Sequence, residues 1–97
     1  MTSYIVVESN VLDAAKLAQY SQLAAPTVAK FGGKFIAKGA SQSLYGKQLF
    51  ANKAVIEFSS EQQARDWYHS EEYQALIELR DQAMDSQFQL VSAPSQH

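Results

Sequence analysis

Few side chains in this sequence are placed to do chemistry. Arg80 follows Tyr73, Leu76 and Ile77 at intervals of three and four, which puts its guanidinium on or beside an inward helical face. A permanent cation there wants either a carboxylate partner at the helix edge or an anionic small-molecule ligand. Tyr20, Phe31, Phe35, Trp67, Tyr68 and Tyr73 are numerous large rings for a small domain. They are read either as plain core or as the lining of an apolar pocket in which tyrosine hydroxyls orient a ligand. The candidate binding set is therefore Tyr20, Phe31, Phe35, Trp67, Tyr73 and Arg80. Candidates for proton handling are Tyr20, Tyr68, Tyr73 and Glu57, the last being the one acid of its strand. Glu57 has a competing role as cross-strand partner of Lys34 or Lys38.

Other chemistries find no support. His69 lies two positions from Trp67, about 200° around a helix, so the two cannot share a face. No second histidine and no carboxylate at i+4 joins His69, and no metal site is expected. Ser70 is explained as a helix cap, and no nucleophile constellation surrounds a serine. Gly32-Gly33 follows a helical segment rather than a strand, the wrong context for a phosphate-binding loop.

The elements that must position these residues alternate clearly. Ser3 to Ser9 is β-branched and aromatic, and a helix with Leu17, Tyr20, Ala24, Val28 and Phe31 on one face opens near Asp13. Pro26 predicts a kink or a fresh helical turn, and Gly32-Gly33 a stop. Lys34 to Lys38 and Asn52 to Phe58 are strands flanking a loop. Ser60 and Gln63 form a capping box before Ala64, Trp67 and Tyr68. Ser70 recaps, and Tyr73, Leu76, Ile77, Arg80 and Met84 continue at helical spacing, giving a second helical region in two pieces. Gln87 to Ser92 is the last strand, ahead of a polar tail over 93–97 with nothing evident to hold it.

The order βαββαβ with right-handed crossovers predicts a ferredoxin-like α+β fold, a four-stranded antiparallel sheet with both helices on one face. Strand parity assigns Ile5, Val7, Phe35, Ala37, Ala54, Ile56, Phe58, Phe88 and Leu90 to the helix side. The other face collects Tyr4, Val6, Glu8, Lys34, Ile36, Lys38, Val55, Glu57, Gln87, Gln89 and Val91, neither fully wet nor fully core. A second copy of the same sheet would bury the apolar members, so a homodimer through the sheet face is expected. An antiparallel sheet with one wet face is the alternative.

The 97 residues allow a single domain, with its core over about 3–92. Hydrophobic residues make up 46% and charged residues 19%, enough apolar material to fold. A net charge of −2 gives no bulk attraction for nucleic acid. Five lysines between Lys30 and Lys53 are unaccompanied by any acid, whereas Glu57 to Asp85 holds eight acids against Arg65 and Arg80. That basic edge suits either an anionic metabolite or protection against aggregation. Without cysteines, disulfides and thiolate chemistry are excluded. The apolar run Tyr4 to Val7 is far too short for a signal peptide or a membrane span, so a soluble cytoplasmic protein is expected.

Several segments together resemble one family. Ala25-Pro26, Phe31 to Gly39, Val55 to Phe58, Ala64, Trp67-Tyr68, and Ser70 to Gln74 leading to Leu79-Arg80 are similar to the domain of unknown function 1330. The resemblance runs from Tyr4 to about Val91. It implies the dimeric α+β barrel superfamily, in which two ferredoxin-like sheets face each other. Two features depart from the family pattern. Leu44-Tyr45-Gly46 stands where the family usually has Glu-Gly, and Leu90-Val91-Ser92-Ala93 replaces an acidic residue and a glycine. Haem-degrading members of the superfamily combine Asn, Trp and His, but here Trp67 lacks a matching histidine. No cofactor is expected. The resemblance implies a dimer more than a chemistry; with the aromatic-lined pocket, the expected function is to bind or transform a small organic acid or aromatic metabolite, and for an enzyme the superfamily's cofactor-independent oxygenation or isomerisation is the model. The second possibility is a non-catalytic sensing or assembly module whose dimer is structural.

Overall fold

The computed structural model describes residues 1–94, so the end of the polar tail, with His97, lies outside the described residues. Its elements are β1 (Ser3–Val11), α1 (Ala14–Lys30), β2 (Lys34–Ala40), β3 (Asn52–Phe58), α2 (Glu61–His69), α3 (Glu71–Gln74), α4 (Ile77–Ala83) and β4 (Met84–Ser92). The strands form one antiparallel sheet in the order β2-β3-β1-β4. This is the α+β ferredoxin-like arrangement. With extents of 44 × 37 × 16 Å the molecule is only two layers thick, and the second face of the sheet is bare.

The central strand β1 alternates buried Ser3, Ile5 and Val7 with half-buried neighbours, as a strand covered on one side must. It pairs along its whole length with β4, from Ser3 opposite Ser92 to Val11 opposite Met84. That ladder lengthens both strands beyond their apolar cores. Met84, expected at the end of a helical run, instead leaves α4 in extended conformation and opens β4. At the other end the Ala93 N–H donates to the Thr2 carbonyl over 2.8 Å, so the tail is held at its first residue.

Asp13 caps α1 by accepting the Lys16 N–H at 3.0 Å. The helix is continuous through Pro26, so no fresh helical turn starts there. Pro26 is exposed, so the carbonyl one turn earlier can be solvated instead of hydrogen-bonded. Ser70 serves two helices at once: its hydroxyl donates to the Trp67 carbonyl at 2.7 Å and accepts the Tyr73 N–H at 3.2 Å. A further break after Gln74 makes the second helical region three pieces rather than two.

Register on the edge strand departs from simple alternation. Phe35 lies opposite Ile56 and Ala37 opposite Val55, so Ile36 is an extra residue in a β-bulge. Beyond it the faces exchange. Ala37 joins Val55 on the bare face, and Lys38, opposite Ala54, turns to the helix side, each the reverse of the parity expectation. Lys34 stays outward, 3.8 Å from Glu57, while Lys53 and Glu8 approach to 3.5 Å across the same face.

The two glycines that end α1 do different work. Gly32 takes φ +80°, the left-handed conformation, and its N–H reaches the Ala29 carbonyl at 3.0 Å. At Gly33 space is the constraint: a Cβ would lie 2.6 Å from the buried Phe58 ring and 2.9 Å from Val28. Gly33→Ala should therefore cost about 1–3 kcal/mol by overpacking. Urea unfolding of this variant against wild type checks the loss.

Candidate functional site

Helix α1 stands off the sheet beneath it, and every residue of the edge strand β2 is exposed. Small residues face the gap, with Ser21, Ala24 and Ala25 on α1 opposite Gly39 and Ala54 on the strands. The result is a chamber of about 230 Å³ between α1 and the sheet, walled by Val7, Leu17, Val28, Ile56, Met84, Phe88 and the Trp67 ring. Phe35 and Lys38 stand at its exposed β2 side, with the Lys38 ammonium 5.1 Å from the Phe35 ring centroid. Polar side chains are few: Ser9, Ser21, Tyr20, Lys38 and Asn52, while Lys53 adjoins the chamber from its strand but sends its ammonium to Glu8 on the bare face. No acid pairs with Lys38 among the described residues.

Beside the chamber lies a polar cluster inside the aromatic core. Arg80 reaches inward from α4, and its side chain is only 11% exposed. Its Nη1 donates to the Tyr68 hydroxyl at 3.1 Å and the Tyr73 hydroxyl at 3.3 Å. Nε turns to exposed Asp81 at 3.0 Å, and the guanidinium carbon sits 4.9 Å from the Phe88 ring centroid. The Tyr73 and Tyr20 hydroxyls are 2.7 Å apart. Trp67 packs 4.3 Å from the Tyr73 ring, and its indole N–H is spent on Thr27 Oγ1 at 3.0 Å.

Burial raises the Tyr20 phenol far above its ordinary range, and the neighbouring Tyr73 adds to the shift. Tyr73 is raised too, by burial, partly opposed by its hydrogen bonds to Tyr20 and Arg80. For Arg80, burial works against the charge, but the hydrogen bonds to Tyr68 and Tyr73 outweigh it and hold the pKa above the usual value. Both buried phenols are thus neutral hydrogen-bonding groups at physiological pH.

Of the residues singled out from sequence, Tyr20, Phe35 and Trp67 line the chamber. Tyr73 and Arg80 adjoin it through the hydroxyl chain without lining it, and Phe31 packs on the core elsewhere. Tyr68 lines a second, more open hollow between α2 and β4, together with His69 and Arg65. Glu57 faces the bare side of the sheet with Lys34. Sequence reasoning passed over Lys38 as a chamber residue, because nothing in Lys34 to Gly39 announces the extra residue at Ile36. Ser21, Ala25 and Asn52 were also missed; their small size on the covered side was the available signal. Among the described residues no cluster of His, Cys, Asp and Glu could hold a metal ion.

The family model for the domain of unknown function DUF1330 matches residues 2–94. The chain belongs to that family. Among solved structures, this DUF1330 chain is similar to a protein of unknown function from Rhodopseudomonas palustris, with 16% identity and a TM-score of 0.77 over 98% of this chain and 84% of that one. SnoaB, a cofactor-independent oxygenase from Streptomyces nogalater, is 10% identical with a TM-score of 0.63, covering 98% and 93% of the two chains. A dimeric ferredoxin-like protein of unknown function from Thermobifida fusca is 12% identical with a TM-score of 0.58, covering 96% and 92%. At these identities the likeness carries the fold alone. No curated protein is significantly similar in sequence. No described helix of this DUF1330 chain is long and apolar enough to cross a membrane.

A raised phenol pKa means that the native state holds its proton more tightly than the unfolded chain does. Native stability is therefore unaffected below the ordinary phenol pKa of about 10 and falls as pH rises beyond it. Ultraviolet titration of the five tyrosines should show Tyr20 and Tyr73 ionising only as the chain unfolds. The double variant Tyr20→Phe, Tyr73→Phe should lack that late step.

Proposed function

We propose that this DUF1330 chain binds a small, ring-bearing organic acid in the chamber between α1 and the sheet. The observation that carries the reading is an apolar hollow of about 230 Å³ bordered by Lys38, a cation without an acidic partner among the described residues. Apolar walls with a few convergent polar groups are what small-molecule sites are made of. A ring would lie against Trp67, Phe88 and Val28 while its acid group met Lys38 at the exposed side. Arg80, the anion-binding candidate from sequence, is engaged with phenols and Asp81, and serves the site through them.

If the ligand is transformed, the oxygenase neighbour SnoaB supplies the model of chemistry without a cofactor. Among the described residues no carboxylate or imidazole lines the chamber. Its residues therefore favour donating hydrogen bonds to developing negative charge on a ligand oxygen over removing a proton as a carboxylate base would.

The working unit in this proposal is a homodimer through the bare sheet face. Val6, Val55, half-exposed Val91 and the bulged Ile36 give that face apolar ground, with the Lys34–Glu57 and Lys53–Glu8 pairs interspersed. A purely structural dimer is the competing reading, favoured by the same face. It predicts no ligand.

Thermal unfolding with a panel of benzoates, naphthoates and their neutral amides separates the two. A ligand at about a hundredfold over its dissociation constant adds roughly 2.7 kcal/mol, several degrees in a domain this small. The acids should stabilise more than the amides. Lys38→Gln should remove that preference, and Ala25→Trp, which fills the chamber, should remove stabilisation by both. A panel without effect would favour the structural dimer. In sedimentation equilibrium the wild type should have the mass of two chains, and Val55→Asp that of one.

A further inference from the structure

The hydrogen-bond chain beside the chamber has a direction that the chemistry of its donors determines. A guanidinium only donates, so the Tyr68 and Tyr73 oxygens both accept from Arg80. A single hydrogen lies between Tyr73 and Tyr20, whose oxygens are 2.7 Å apart. Were Tyr20 its donor, the hydroxyl hydrogen of Tyr73 would be left over. Tyr73 is wholly buried, does not line the chamber, and shares no hydrogen bond with Tyr68 among the described residues. An unmet donor in such a place costs about 1–3 kcal/mol. With Tyr73 as donor, the hydrogen left over belongs to Tyr20, the one member of the chain among the chamber's lining residues, so an oxygen of a ligand or water in the chamber is the acceptor this direction calls for.

Resting on the chamber being a ligand site, we infer that Arg80 and Tyr73 are positioning residues that turn the Tyr20 hydroxyl hydrogen into the chamber, so that Tyr20 selects ligands carrying a hydrogen-bond acceptor oxygen of the carbonyl class at their buried end. The neighbouring groups sharpen this role. Trp67, the other chamber residue with an aromatic donor, has its N–H occupied by Thr27 and offers only its ring. Burial also keeps Tyr20 and Tyr73 protonated, the form in which the chain can donate. The acceptor of the ligand and its acid group would thus lie at different ends, one beside Tyr20 and the other beside Lys38.

Three bicyclic probes of nearly equal size read the direction: indan-1-one with an acceptor, indole with a donor, and indane with neither. Calorimetry on the full chain should give indan-1-one an affinity about five- to tenfold above indane, the value of one hydrogen bond, with indole no tighter than indane. Tyr20→Phe should abolish the difference and leave indane binding unchanged. Arg80→Met should reduce it by letting the Tyr20 and Tyr73 hydroxyls reverse, and Arg80→Lys should restore part of it. Equal binding of indan-1-one and indane by wild type, or tighter binding of indole, overturns the proposed direction while leaving the chamber a ligand site. Failure of all three probes overturns the chamber reading and the selection with it. Hydroxyl exchange tests the direction without any ligand. With labelled tyrosine, the Tyr73 hydroxyl proton should exchange with water more slowly than that of Tyr20, and the opposite order overturns the assignment.

Discussion

A guanidinium held in an aromatic core without a buried carboxylate is the interaction on which the helical layer depends. The ion pair of Arg80 is with Asp81, which is exposed, and among the described residues no buried acid pairs with it. Phenol oxygens take its hydrogens, and the faces of Phe88 and Tyr68 lie within cation–π reach. Removing a charge from water is costly, and the phenol hydrogen bonds, the Asp81 pair and favourable ring quadrupoles offset that cost. Through this one side chain α4 is tied to α2 at Tyr68, to α3 at Tyr73 and to β4 at Phe88. Through Tyr73 it is also tied to α1 at Tyr20. Four helical segments, three of them short, thereby act as one layer.

Against that rigid side, the β2 side of the molecule is loosely covered. Helix α1 presents alanines and a serine there, and the strands answer with Gly39 and Ala54, so no large side chain fills the intervening space. The chamber is a consequence of small residues on both walls combined with large ones at the closed end, where Trp67, Phe88 and Tyr20 meet. Close packing elsewhere makes the contrast plain. At Gly33 not even a methyl group fits, because Phe58 and Val28 already occupy the volume.

Much of this was legible in the chain itself. The helix start near Asp13, the caps at Ser60 and Ser70, the stop at Gly32 and the helix-side parity of Ile5, Val7, Ile56 and Phe58 are local signals, and the structure carries each of them. What escaped is set by partners distant in sequence. Pro26 is accommodated because its side of α1 faces water, which depends on how the helix sits. Met84 has a helical spacing but joins β4 because Val11 is opposite it. Arg80 gave away its inward position, but not that hydroxyls from two other helices would meet it. The DUF1330 resemblance, carried by the glycine pair and the Trp-Tyr segment, agreed with the fold while leaving the chemistry open.

The bulge at Ile36 makes the charge at the chamber mouth a matter of chain length as much as of residue identity. Every side chain from Ala37 to the end of β2 owes its face to one supernumerary residue. Relatives could therefore gain or lose the cation by insertion or deletion in this edge strand, with no lysine substituted at all. Aligned column by column, such proteins would look conserved here while presenting opposite surfaces to their ligands.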